Sequence, residues 1–237
     1  MSEWKAKRFW TEASVGETEG GWQVLLDGRQ VRTPLKTVLQ LPTREMAEAV
    51  AAEWAAQEGE IDPQTMPVTR SANAALDKVA TQHEEVAAML AAYAGTDLLC
   101  HRATHPEELA ALQSRAWDPV LNWAADRYGA PLNVVAGVLP ADQPAESLLR
   151  YGREVAAFRP FSLTALHDLV TLSGSLVLGL YAACGQDGAD AVWRLSRIDE
   201  DWQSAQWGED EEAAEAAEIR RQAFLHAARF LTLAQGT

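Results

Sequence analysis

The feature that most constrains this chain is where its turn chemistry lies. Asp27-Gly28 separates Trp22-Gln23-Val24-Leu25-Leu26 from Arg29-Gln30-Val31-Arg32-Thr33. An Asp-Gly pair between two such runs is a strong hairpin signal, because both positions tolerate the positive φ of a tight turn. Gly20-Gly21 precedes the first run, and Pro34 follows the second, where it is expected to end the strand. Residues 37–41 and 8–15 are expected to add short strands. From Thr43 the period changes. Thr43 is placed to cap a helix in which Met46, Val50 and Trp54 recur every fourth residue beside Ala47 and Ala51. That spacing makes one apolar stripe.

The helical pattern then dominates. An Ala-rich helix is expected over 69–94, broken near Thr81 and closed by Gly95. Another is expected over 106–128, with Leu109, Leu112, Ala116, Val120 and Ala124 as its stripe. Strands are expected at 97–103 and 132–138. From residue 145 only helices are expected, over 145–158, 160–184, 187–207 and 209–233. The expected class is α+β: a small, mainly antiparallel β domain with helices at 1–80, then a larger, all-helical, orthogonal bundle-like domain at 81–237.

Charge narrows the partners. The sequence has 34 Asp and Glu against 20 Lys and Arg, a formal balance of −14. The first 44 residues carry seven bases and five acids, so the rest carries −16. Such a chain lacks the clustered cations that bind nucleic acid or anionic lipid. Cys100 and Cys184 are the only cysteines. They form no disulfide framework and fit a reducing compartment. The amino terminus has no apolar signal-peptide core. The greasy stretch 163–184 includes His167, Asp168, Thr171, Ser173 and Ser175, costly in hydrocarbon, so it reads as a buried helix and not as a membrane span.

No catalytic, cofactor or metal constellation emerges. Gly-rich phosphate loops of either common pattern are absent. Cys100 and His101 would face opposite ways in a strand, and Pro106 bars a continuous helix through His105. Thr164, His167, Thr171 and Ser175 recur at helical spacing and could form a polar track in a small-molecule enzyme. Hydroxyls bonded to carbonyls four residues back explain the same spacing structurally. Ser175 and Gly179 would also let a neighbouring helix approach closely.

The run 209–218 is different. It holds six carboxylates and no base, just after Trp202 and Trp207. One or two acids suit a helix's first turn, but six concentrate negative potential. Indoles beside a charged rim are common in protein interfaces. Glu209, Asp210, Glu211, Glu212, Trp207 and Trp202 are therefore the candidate partner-binding residues, against a plain reading as a solvated helix face. Segments 27–34 and 66–77 have no catalytic logic; they suit hydrogen-bond networks or partner contacts.

Several blocks, in order, resemble one family. They are Gly-Gly-Trp-Gln-Val-Leu-Leu-Asp-Gly-Arg-Gln-Val-Arg-Thr-Pro from Gly20, Ala-Glu-Trp-Ala-Ala-Gln from Ala52, the 66–77 segment and Thr-Asp-Leu-Leu-Cys from Thr96. Leu-Thr-Ala-Leu-His-Asp from Leu163, Asp-Glu-Asp-Trp-Gln from Asp199 and Gln-Trp-Gly-Glu-Asp-Glu-Glu from Gln206 complete the set. The chain is similar to the F₁-ATPase assembly chaperones that handle the ATP synthase alpha subunit. The resemblance implies a non-enzymatic monomer without cofactors, which shields the alpha subunit until the beta subunit replaces it. It also implies a bacterial cytoplasm, or a mitochondrial matrix in a eukaryote. An acidic residue soon after Trp-Gly matters in the family, and Glu211 is its best match here.

Overall fold

The structure is a computed structural model and describes residues 7–137, 139, 142–208 and 210–236. Two compact units emerge: Met1–Gln82 with Arg159–Ala165 and Arg229–Thr237, and His83–Phe158 with Leu166–Ala228.

In the first unit, β1 (Ala13–Thr18), β2 (Gly21–Leu26), β3 (Arg29–Gln30) and β4 (Gln40–Leu41) form an antiparallel sheet. β2 is central and pairs with the other three. The expected hairpin turn is present, with φ of 46° at Asp27 and 78° at Gly28. The strand expected at 8–15 begins only at Ala13. The Asp27 carboxylate explains this: it accepts from the N–H of Thr11 at 3.1 Å and of Glu12 at 2.9 Å, so these amides join a turn and not a ladder. Those bonds, Glu12 first, hold the Asp27 carboxyl below the usual range.

Helix α1 (Arg44–Ala55) starts where expected, with the Thr43 hydroxyl oxygen accepting from Met46 N–H at 3.1 Å. Its buried face is Met46, Ala47, Val50 and Ala51, and it packs on β1 and β2. Trp54 lies half-buried, edge-on to Trp10 with ring centres 5.2 Å apart. Glu53 caps α2 (Pro67–Ala74), accepting from Val68 N–H at 2.7 Å, Thr69 N–H at 2.8 Å and the Thr69 hydroxyl at 2.7 Å. α2 runs into a π-helical turn at Ala75–Val79, and the chain then breaks near Thr81 as expected.

The second unit is helical. Its helices are α3 (His83–Ala92), α4 (Glu107–Tyr128), α5 (Ala145–Ala156), α7 (Leu176–Ala183), α8 (Ala189–Ser196) and α9 (Ile198–Trp207). Parts of α6 (Pro160–Ser173) and α10 (Glu211–Gln235) belong here, and parts to the first unit. α3 packs on α5, α4 on α7 and α9, and α8 on α7 and α9. Leu90, Leu99, Trp117, Tyr151, Leu166 and Leu169 lie fully inside. This α+β architecture is the expected class.

Three local expectations are corrected. Residues 97–103 contribute only β5 (His101–Arg102), paired in parallel with β6 (Val135–Ala136). Leu98–Cys100 is a 3₁₀ turn, because the Asp97 carboxylate accepts from Leu99 N–H at 3.0 Å. The helix expected over 160–184 is two helices, broken at Gly174, whose φ of 73° is left-handed. Ser175 then starts α7 as its cap. A side chain at Gly179 would put Cβ 2.6 Å from Val170 Cγ2 and 3.3 Å from its amide nitrogen, so α7 touches the α6 backbone there, the close approach expected of this glycine. The helix expected over 187–207 divides at Arg197 into α8 and α9.

Asp97 ties this region together. It has zero exposure and accepts from the Ser175 hydroxyl at 2.7 Å and Val177 N–H at 3.0 Å, besides Leu99. Burial pushes its carboxyl above the ordinary value, against the opposing effect of these donors, Ser175 foremost.

Candidate functional site

The polar track of the enzyme reading does not assemble. The Thr164 and Thr171 hydroxyls donate to the carbonyls of Pro160 and His167, each four residues back. His167 Nδ1 meets its own neighbour Asp168 at 2.8 Å, both half-exposed. Ser175 is turned away by the Gly174 break and is engaged by Asp97. Cys100 is buried, which pushes its thiol up to about 12. Among the described residues no group of three or more His, Cys, Asp or Glu side chains could hold a metal. No helix among them is long and apolar enough to cross a membrane.

A cleft of about 520 Å³ lies in the second unit, between α8, α9 and the start of α10. The sequence builds it by helical spacing. Arg197 before α9 and Glu200, Asp201, Ser204 and Trp207 along one face of it recur at helical spacing, while Asp210 before α10 and Ala213, Ala214, Ala217, Glu218 and Arg221 recur along α10. The small alanines leave the opening. α9 ends at Gly208, and Asp210 opens α10, its carboxylate accepting from Glu212 N–H at 3.0 Å. The floor is apolar: Trp193 is buried against Phe224, ring centres 5.7 Å apart, with the Arg197 guanidinium 5.9 Å above the indole.

The cations that line the cleft are each ion-paired. Arg221 Nε is 2.5 Å from Asp190 and its Nη1 3.0 Å from Glu218. Arg194 reaches Asp190 at 2.7 Å, and Arg197 reaches Glu200 at 3.0 Å. The Arg221 bond, with Arg194 adding to it, holds the Asp190 carboxyl below its usual value. The Gln222 amide, then Arg221, does the same for Glu218. Asp201 lines the cleft with no ion-pair partner among the described residues. Trp207 stands beside it, 81 % exposed. The arrangement combines an exposed indole, an apolar floor and one carboxylate, that of Asp201, without an ion-pair partner among the described residues.

Of the six candidate residues, Trp207 and Asp210 line this cleft. Glu211 and Glu212 are exposed in the first turn of α10 but do not line it, and Trp202 is half-buried on α9 outside it. Glu209 lies outside the described residues. Sequence reasoning missed Asp201, Glu200 and the three arginines. The periodic spacing just described was the signal that could have found them.

The comparisons with known proteins agree with one another. The family model described as ATP12 chaperone protein matches residues 7–125. A crystal structure of Atp12 from Paracoccus denitrificans is 51 % identical, with a TM-score of 0.95 over 98 % of this chain and all of that one. An aspartate-to-lysine mutant of the same protein gives a TM-score of 0.96 at the same identity and coverage. The mitochondrial atp12 protein of Schizosaccharomyces pombe is 22 % identical over 222 residues, 88 % of this chain and 76 % of that protein. Matched by the family model over half its length and by relatives over nearly all of it, the chain belongs to the ATP12 chaperone family, the F₁-ATPase assembly chaperones that its sequence blocks resemble.

Proposed function

We propose that this protein holds the free alpha subunit of the F₁ sector of ATP synthase and shields its partner-facing surface until the beta subunit takes its place. The observation that carries the reading is the α9–α10 cleft, where an almost fully exposed indole stands beside an unpaired carboxylate. Exposed aromatics of this kind are anchors in protein interfaces, and a carboxylate rim sets encounter rate and specificity for a basic partner. An unassembled subunit has an apolar patch that aggregates unless covered. In this reading Trp207 supplies contact area, Asp201 and Asp210 select a cationic client surface, and Glu211 and Glu212 extend the acidic rim. The protein acts as a monomer without turning over a substrate, in the bacterial cytoplasm or its mitochondrial equivalent.

The test is suppression of light scattering by purified alpha subunit, with affinity measured in parallel. Wild type at excess should abolish scattering. Asp201→Lys and Trp207→Ala should each weaken binding about tenfold or more with an unchanged melting temperature. Glu211→Lys should weaken it less. Undiminished aggregation of alpha with excess wild type would overturn the proposal.

A further inference from the structure

The turn 33–37 of the first unit combines an exposed apolar tip, a left-handed residue and a dense set of hydrogen bonds. Leu35 at its tip is 69 % exposed. Lys36 beside it holds a φ of 72°, a left-handed conformation that strains a side-chain-bearing residue. The turn is nonetheless bonded from every side. Thr33 N–H donates to Thr37 C=O at 2.8 Å, and Lys36 N–H to Thr33 C=O at 2.9 Å. Arg32 Nη1 donates to Lys36 C=O at 2.8 Å. Asp77, in the π-helical turn after α2, accepts from the Thr33 hydroxyl at 2.6 Å and from Leu35 N–H at 3.1 Å. A π turn inside a helix often marks a functional position, since it displaces a side chain from the regular register. Here it belongs to the segment that delivers Asp77 to the turn.

All this fixes the backbone of an apolar side chain that stays mostly exposed on its own chain. Stability alone does not account for that, because an exposed leucine on a strained turn contributes little to the core. Rigid presentation does, since a pre-ordered anchor loses little entropy when it docks. The surroundings state the partner's charge. Arg32 and Lys36, which flank Leu35 in the turn, and Lys78, the neighbour of Asp77, are exposed, while Asp77 is engaged in the turn. In a chain with a balance of −14 this is a local reversal of sign.

We infer that the 33–37 turn is a second client-docking element, which inserts Leu35 into an apolar socket with an acidic rim on the client. The inference rests on the chaperone reading above and adds a contact of opposite charge to the cleft. Leu35 is the anchor, Arg32, Lys36 and Lys78 select the acidic rim, and Asp77 is a positioning residue.

The experiment measures binding of the full chain to isolated F₁ alpha subunit at low and moderate salt. Leu35→Ser should weaken binding about tenfold, Leu35→Met should restore most of it, and Lys78→Glu should weaken binding and flatten its salt dependence. All three should melt like wild type, since these side chains are exposed. Failure of wild type to bind alpha would overturn the chaperone reading itself. Wild-type binding that Leu35→Ser and Lys78→Glu both leave intact would overturn this inference alone. So would sedimentation showing that Leu35→Ser only disrupts self-association of this chain.

Discussion

Removing the Asp97 carboxylate is a demanding test of how the helical unit is held together. Asp97→Ala leaves three donors behind: the Ser175 hydroxyl and the N–H groups of Leu99 and Val177. A buried donor without a partner costs about 1–3 kcal/mol. The hydroxyl can rotate, and its oxygen still caps α7 through Leu178 N–H at 2.9 Å. Two orphaned amides then cost roughly 2–6 kcal/mol in sum. Removing a buried carboxylate also relieves its desolvation, so the net loss should fall near 2–4 kcal/mol. Urea unfolding followed by circular dichroism measures it as a lower midpoint at unchanged slope. The native carboxyl titrates above its ordinary value, so the native state binds more protons between the two values. Asp97 therefore stabilises most below the unfolded value, and its advantage over Asp97→Asn should shrink as pH rises through the native one. A loss under about 1 kcal/mol for Asp97→Ala would refute the idea that these bonds hold the 3₁₀ turn to α7.

Glu53→Ala should lower stability by about 1–2 kcal/mol, because α2 loses its cap at two amides and a hydroxyl; urea midpoints check this, and an unshifted midpoint counts against the cap. Asp190→Asn should change the acid limb of stability. The native Asp190 value is depressed, so its contribution is full above the ordinary carboxylate value and lost as pH falls through the native one. The variant should be less stable than wild type at neutral pH and converge with it in acid.

What was legible in the sequence was local. The Asp27-Gly28 hairpin, the Thr43 cap and the span of α4 each depend on residues a few positions apart. The break at Gly174 was hidden because apolar residues continue on both sides of it, and the close approach at Gly179 that accompanies it is tertiary. Nothing near Asp97 announces that it will be buried, since its donors lie two and about eighty residues away. The site was half legible. Read as a linear run, 209–218 points to the end of the second unit that holds the cleft. Read by helical phase, the same stretch places Asp210, Ala213, Ala217 and Arg221 on the cleft face and leaves Glu211 and Glu212 off it. The 33–37 turn was noticed only in part, because neither the π turn nor the Asp77 bonds have a short-range signature.

The exposure of Trp207 has a practical corollary. Nine tryptophans would ordinarily blur any optical readout, yet among the described residues this is the only largely exposed one. Among the described tryptophans, a collisional quencher such as acrylamide should act first on that ring, and its protection in a mixture with client would report occupancy without any label. The protein thus carries its own fluorescent gauge at the cleft proposed to hold the client.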